Sequence, residues 1–268
     1  MRAPSWAERY GGAVGYGLQP NQIVILRALQ LGDLLCAVPS FRAFRRAWPS
    51  ARIALIGLPW ARDFVRRFSL YFDEFIEFPG YPGLPERPAQ TGALHEFLGA
   101  LRRRRADLAV QLHGDGTITN ELVARFGARR MAGFHPPAQQ PPAGGDFLEY
   151  PSDRHEIRRL LALPQRIGLP AEGEQLEFPI DRGEESSWCR MRFETGLANR
   201  AYVCLHAGAR AEARRWPLDE FARVGRALAA RGLRVVVTGD GAEEEALAAR
   251  LAEQLDGRAL NLAGRTPL

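Results

Sequence analysis

Short apolar runs alternate along the chain with stretches in which apolar residues recur at helical spacing. Three apolar runs, Ile23 to Leu29, Arg52 to Gly57 and Asp107 to Leu112, are bounded by turn residues, which is typical of buried parallel strands. Two amphipathic stretches, one from Leu34 to before Pro49 and one from Asn120 to Phe126, predict helices. This order predicts βαβ units and a doubly wound α/β sheet.

A second series of the same kind begins after residue 200. The pattern predicts strands at Tyr202 to His206 and Leu233 to Thr238, and helices at Pro217 to Ala230 and Ala242 to Leu255. Charged and polar residues interrupt the apolar periodicity between Arg182 and Ala201. We therefore expect two domains, residues 1–190 and 191–268, each built as a doubly wound unit.

The composition fits a folded protein with a basic surface. Of the 268 residues, 46% are hydrophobic, and the net charge of +5 suits a phosphate-bearing ligand, an anionic membrane surface or nucleic acid. Every basic residue is an arginine, because the sequence has no lysine. A lysine Schiff base and a Walker-type phosphate lysine are thereby excluded.

The sequence predicts no disulfide, metal site or membrane span. The three cysteines, Cys36, Cys189 and Cys204, are widely separated, and no His, Asp or Glu spacing resembles a metal site. We expect no cofactor. The first twenty residues lack the apolar core of a signal peptide, and no run reaches about 18 apolar residues. We expect a cytoplasmic protein, free or resting on the membrane face.

The first candidate site is Gly32-Asp33, at the carboxyl end of the first predicted strand. Ligands of open α/β sheets bind outside those strand ends, where a carboxylate can reach them. Aspartate is also among the best residues at a helix N-cap, and a glycine makes a turn tight. The position therefore allows either a catalytic carboxylate or a cap.

The second candidate is a glycine- and arginine-rich loop between a predicted strand and a helix. It contains Gly208, Arg210, Arg214 and Arg215, and Pro217 suits the first helical position. A helix N-terminus with arginines beside it is suited to binding a pyrophosphate. The alternative is a solvated loop, but the coupling of the arginines to a helix start favours phosphate binding.

A third candidate follows the next strand, where Thr238 to Gly241 precede Glu243 and Glu244. The segment lacks the third glycine of a dinucleotide fingerprint, which argues against a Rossmann dehydrogenase. Glutamates in a first helical turn commonly serve the helix dipole, although one of them could accept hydrogen bonds from a ribose.

Two further polar residues are expected near the predicted strand that ends at Leu112. His113 follows it directly and Asn120 stands seven positions later, so that both are candidates for contact with an acceptor substrate. Each also has a purely structural interpretation. The same two alternatives apply to His206, which either touches a donor or is a satisfied core histidine.

Taken in order, several segments resemble the heptosyltransferase family. They are Ile25 to Leu34 with Pro39, Arg45, Pro49 and Ala51; Leu205 to Ala209 with Arg215 to Pro217 and Phe221; Val237 to Gly239; and Asn261 to Gly264. The resemblance runs from about Ile23 to the last residue. The resemblance lies in the ordered set of segments.

The resemblance implies a GT-B architecture of two Rossmann-like domains facing across a cleft. It implies inverting, metal-independent transfer of a sugar such as heptose from a nucleotide-diphosphate donor to a glycan or glycolipid acceptor, such as a lipopolysaccharide core. Asp33 would then be the base, and Arg214 stands where the family often has lysine. The implied partners are the donor, the acceptor and, peripherally, the inner membrane, but no nucleic acid.

The resemblance also leaves other interpretations open. The family continues beyond the segment matching Asn261 to Leu268, so that we expect an incomplete second domain, either because the chain has been truncated or because the protein has lost a piece of its nucleotide pocket. An inactive sugar-nucleotide-binding remnant is therefore the alternative to an enzyme. The compact run Arg102 to Arg105 is the basis for a weaker alternative, a nucleic-acid binder without a recognition motif.

Overall fold

The chain folds into two compact units, Met1–Pro179 (unit 1) and Ile180–Leu268 (unit 2). The structure, a computed structural model, describes residues 19–170, 173–197, 201–209 and 211–266. Each unit is built around its own parallel sheet.

Unit 1 has a six-stranded sheet with the order β3-β2-β1-β4-β5-β6 among its described residues. All neighbouring strands are parallel. The strands are β1 (Gln22–Leu26), β2 (Arg52–Gly57), β3 (Glu74–Glu77), β4 (Leu108–Gln111), β5 (Arg130–His135) and β6 (Asp146–Glu149). The helices are α1 (Leu31–Ala47), α2 (Ala61–Arg67), α3 (Thr91–Arg104), α4 (Thr119–Ala124) and α5 (Glu156–Arg166).

Helices cover both faces of this sheet. Ile23 and Ile25 of β1 pack in one apolar cluster with residues of α1, α2 and α5. Val24 and Leu26 point the other way and pack with residues of α3 and α4. Successive side chains of a strand point to opposite faces, so that a continuous apolar run buries both. The predicted doubly wound architecture is confirmed for unit 1.

Two boundaries near the first candidate site differ from the prediction. Strand β1 ends at Leu26 rather than Leu29, because apolarity alone does not distinguish a strand from the buried loop that follows it. Helix α1 begins at Leu31 rather than Leu34, with Gln30 as its N-cap. The idea that Asp33 is the N-cap is therefore wrong, since Asp33 is the third residue of the helix.

Unit 2 contains a parallel sheet with the order β7-β8-β9 in its described part. Its strands are β7 (Tyr202–His206), β8 (Arg234–Thr238) and β9 (Ala259–Asn261), and its helices are α6 (Arg182–Glu194), α7 (Leu218–Ala230) and α8 (Ala242–Gln254). Helix α7 begins one residue later than predicted, so that Pro217 is its N-cap rather than its first helical residue.

Helix α6 packs on the unit 2 sheet. The Trp188 ring meets Tyr202 of β7 edge-on, with 5.8 Å between ring centroids, and Trp188 lies against the cluster that contains Val236. Helices α7 and α8 pack on the opposite face. The division of the chain at Pro179 keeps α6 whole, whereas the boundary expected after residue 190 would cut through this helix.

Candidate functional site

The carboxyl ends of the unit 1 strands carry Gly32 and Asp33. The Asp33 Oδ2 accepts a hydrogen bond from the Gln30 N–H at 3.1 Å, which satisfies a backbone donor at the start of α1. No described residue donates to Oδ1. Gly32 is exposed, and no atom lies within 4 Å of the place where a Cβ would stand. Asp33 thus combines a capping role with one open carboxylate oxygen.

Arg27, which the sequence analysis missed, holds the Asp33 segment in place. Its side chain is 1% exposed, and it donates to the Asp33 carbonyl (Nε, 2.9 Å), to the Leu112 carbonyl (Nη1) and to Glu156 Oε1 (Nη2, 3.1 Å). Burial lowers the pKa of Arg27, and Glu156 and Asp33 oppose that effect. The available signal was an arginine inside an apolar run, because a buried cation requires a partner.

His113 is buried at the end of β4. Its Nδ1 accepts a hydrogen bond from the Ala28 N–H at 3.2 Å. Burial, followed by the nearby Arg27 charge, lowers the pKa of His113 to about 4, while Asp33 acts in the opposite direction. The imidazole is therefore neutral near pH 7, with its proton on Nε2.

Asn120 supports the loop that follows β4. Its amide nitrogen donates to the Phe134 carbonyl at 2.9 Å, and its Oδ1 is buried without a partner among the described residues. The same carbonyl lies 2.2 Å from where a Cβ on Gly116 would stand, and the φ of Gly116 is +96°, so that this turn requires glycine. The structure thus gives Asn120 a supporting contact and does not bring it into contact with Asp33.

In unit 2, the arginine-rich loop is tied to the start of α8. Arg215 donates to the Ala209 carbonyl at 2.8 Å and to Glu243 Oε1 at 2.6 Å. The hydrogen bond with Arg215 holds the pKa of Glu243 below its ordinary value, and Glu243 raises the pKa of Arg215. Glu243 and Arg215 are therefore partners of each other, which reduces the availability of both for a ligand.

Arg214 differs from its neighbour Arg215. It is exposed at the end of the short 3₁₀ turn Glu212–Arg214, and no acidic partner binds it within the part of the chain that the structure describes. Arg210 lies outside the described residues. Among the described residues of this loop, Arg214 is therefore the cation that is open to an incoming anion.

Glu244 connects the loops that follow β7 and β8. Its Oε2 accepts a hydrogen bond from the Asp240 N–H at 3.0 Å and lies 3.5 Å from His206 Nε2. A Cβ on Gly208 would stand 2.3 Å from Glu244 Oε1, so that a larger residue at this position would displace the Glu244 carboxylate. His206 is 49% exposed, and its interpretation as a core histidine is wrong.

A cavity of about 500 Å³ borders the same loop. It lies between the start of α7 and the first turns of α8, and its lining includes Arg215, Trp216, Glu243, Leu247 and Arg250. Cationic, anionic, aromatic and aliphatic groups line it together. A volume of this size falls within the range of small-molecule sites.

The described part of the chain contains neither a cluster of metal ligands nor a membrane-spanning helix. Within residues 19–170, 173–197, 201–209 and 211–266, no group of three or more His, Cys, Asp or Glu side chains is arranged to hold a metal ion. In that same part of the chain, no helix has both the length and the apolar character needed to cross a bilayer.

The model of glycosyltransferase family 9 (heptosyltransferase) matches residues 96–268. The chain belongs to this family. The matched range includes the Arg214 loop and Glu244, whereas Asp33 precedes it. As a family 9 member, the protein is a glycosyltransferase, and the resemblance noted in the sequence is confirmed.

Solved structures of other proteins share its fold. A family 9 glycosyltransferase from Veillonella parvula is 18% identical, with a TM-score of 0.74. The match covers 93% of this chain and 71% of the Veillonella chain. The E. coli ADP-heptose lps heptosyltransferase II is 22% identical, with a TM-score of 0.65, and the match covers 91% of this chain and 73% of the E. coli chain. The E. coli heptosyltransferase WaaC with ADP is 17% identical, with a TM-score of 0.61, and the match covers 90% of this chain and 74% of WaaC. The fold is that of GT-B glycosyltransferases. No match was found among curated protein sequences.

Proposed function

We propose that this glycosyltransferase transfers heptose or a similar sugar, with inversion, from a nucleotide-diphosphate donor to a glycan or glycolipid acceptor. The observation that carries the proposal is Asp33, whose carboxylate has one open oxygen at the carboxyl end of β1. Arg27 fixes the Asp33 backbone through its carbonyl and places a positive charge nearby. Such a carboxylate is suited to removing a proton from an acceptor hydroxyl.

The donor half of the proposal rests on the loop from Gly208 to Trp216. Arg214, exposed at the end of its turn, is our candidate for pairing with the diphosphate, with Arg210 as a further expected contact, and the adjacent cavity offers room for part of the donor. Arginine neutralises the charge that develops on a leaving diphosphate and binds it in a planar geometry. Glu244, already held against Gly208, is our candidate for the donor ribose.

Two solved relatives guide the choice of substrates. One is described as an ADP-heptose lps heptosyltransferase and another was solved with ADP. We propose the same donor class and a lipopolysaccharide-core acceptor for this chain. The net charge of +5 supports a location at the cytoplasmic face of the membrane, where an anionic surface attracts it.

The test is transfer by the full chain from ADP-heptose to heptose-deficient lipopolysaccharide, with ADP binding measured in parallel by calorimetry. We expect both ADP binding and sugar transfer. ADP binding without transfer would favour the inactive sugar-nucleotide-binding alternative. Absence of both would contradict the proposed function.

A further inference from the structure

His113 is held in one orientation, and the proposed role of Asp33 as the base gives this histidine no function. Its Nδ1 accepts a hydrogen bond from the Ala28 N–H, and the residue is only 4% exposed. A neutral imidazole that accepts at Nδ1 must carry its proton on Nε2. His113 thus presents one N–H donor in a fixed direction.

Glu86 faces that donor from another loop. It lies between β3 and α3, its side chain is 13% exposed, and its Oε1 lies 3.6 Å from His113 Nε2. This separation exceeds a good N–H···O hydrogen bond, which spans about 2.7–3.2 Å. The other oxygen, Oε2, is buried and accepts no hydrogen bond from any residue that the structure describes. A donor and an acceptor therefore lie side by side with unused capacity.

A hydroxyl group matches both needs at once. Its oxygen accepts from an N–H while its own hydrogen is donated to a carboxylate. A phosphate or carboxylate would be repelled by Glu86, and an ammonium group offers His113 no acceptor. The pair therefore suits a neutral group that both accepts and donates a hydrogen bond, which on a sugar is most commonly a hydroxyl.

The pair also lies close to Asp33 within unit 1. Ala28, which binds His113, directly follows Arg27, and Arg27 binds the Asp33 carbonyl at 2.9 Å. Strands β1 and β4, which carry these segments, are hydrogen-bonded neighbours. The Asp33 charge also acts on the His113 ring, so that Asp33 and the pair belong to one polar region of unit 1.

We propose that Glu86 and His113 form a subsite that binds a second hydroxyl of the acceptor sugar and so orients it toward Asp33. This inference rests on the proposed function, because it assigns part of the acceptor site. The competing occupant is a permanently bound water, which would give the pair a structural role only.

The test uses Glu86→Gln in the full chain, assayed with ADP-heptose and heptose-deficient lipopolysaccharide. An amide is a weaker acceptor than a carboxylate, and hydrogen bonds to charged groups contribute more than neutral ones. We expect the KM for the acceptor to rise at least about ten-fold, with a much smaller change in kcat and with ADP affinity unchanged. Glu96→Gln, at an exposed position on α3, is the matched control and should behave as the parent.

A double-mutant cycle with His113→Gln sharpens the result. If one hydroxyl bridges the pair, the two substitutions should raise KM by less than the product of their separate effects. A lower melting temperature with an unchanged acceptor KM would show a structural water site and overturn the proposal. If Glu86→Gln fails to fold, the same comparison with the parent chain is made with Glu86→Asp.

A second measurement separates this inference from the proposed function. In the ¹⁵N-labelled parent chain, the His113 Nε2 resonance should shift when the acceptor saccharide is added and stay in place when ADP is added. If the parent chain transfers no sugar, the proposed function is contradicted. The titration still measures whether the acceptor saccharide binds at His113. An unmoved resonance at saturating acceptor would overturn the inference.

Discussion

The first strands of the two units, β1 and β7, have similar surroundings in sequence but different surroundings in space. Each is followed by a loop and a helix, and each has a parallel neighbour that comes next in the chain. Strand β1 has a second neighbour, β4, whereas β7 has one neighbour among the described residues. Strand β1 is buried over four consecutive residues, while in β7 only Leu205 is buried.

The polar groups at the ends of these strands differ accordingly. In unit 1, Arg27 and His113 are almost fully buried and committed to backbone partners. In unit 2, Glu243 is 70% exposed and Arg214 is exposed as well. Buried polar contacts fix the position of a side chain, whereas exposed charges act through attraction that salt screens. We therefore expect substitutions in unit 1 to affect chemistry and stability, and those in unit 2 to affect mainly ligand binding.

Asp33→Asn should have the largest effect on activity. An amide cannot take the acceptor's proton, and loss of a general base lowers the rate by roughly 10²–10⁴-fold. The amide oxygen can still accept the Gln30 N–H, so that the melting temperature and ADP affinity should remain close to those of the parent. Sugar transfer at the parental rate would show that Asp33 serves only the start of α1.

Arg27→Met should have the largest effect on stability. It removes the cation opposite Glu156 and leaves two backbone carbonyls without their donor. Glu156 is 30% exposed and keeps Arg159 as a partner, so that the main cost is the lost hydrogen bonds of the buried guanidinium, about 1–3 kcal/mol of unfolding free energy each, which urea denaturation would measure. Arg214→Met in unit 2 is the comparison and should leave stability almost unchanged. Equal stability of both variants would remove the distinction between the units.

His113 should make unit 1 less stable in acid. Its pKa is about 4 when folded and about 6.5 when unfolded, so that the unfolded chain binds the proton first as the pH falls. Stability should therefore decrease from about pH 6.5 downward, by about 3 kcal/mol on reaching pH 4.

The difference between the parent and His113→Gln isolates this contribution from the charged groups that face the ring, which are Arg27, Asp33 and Glu86. Urea denaturation across that pH range should show a flatter profile for the variant. Parallel profiles would contradict a buried neutral histidine.

The smallest expected effect concerns the unit 2 loop. Arg214→Ala with Arg215→Ala should lower the affinity for ADP by roughly 10- to 100-fold, as expected for lost contacts between arginine and phosphate, and flatten its salt dependence. Arg223→Ala, an exposed arginine of α7 paired with Glu220, is the control. Unchanged ADP affinity in the double variant would exclude the loop as the diphosphate site.

Much of the fold was predictable from local pattern alone. Strands β2 and β7 begin and end where the apolar runs do, and the strand–helix alternation correctly indicated two α/β units. The turn around Gly208 and the arginines beside it were also visible as motifs. Their roles in binding stay predictions, as do those of Asp33, His113, Asn120, Glu243 and Glu244.

The sequence by itself determined the α/β alternation, the family and the place of Asp33 after the first strand, because periodicity and motifs are local properties. Only the tertiary structure decided which polar groups meet. Arg27 and Glu156 stand 129 positions apart, and Glu86 reaches His113 from a different loop. Such pairings depend on which strands become neighbours in a sheet, and the energy that selects those neighbours comes from burial of many residues at once. No short segment of sequence contains that information.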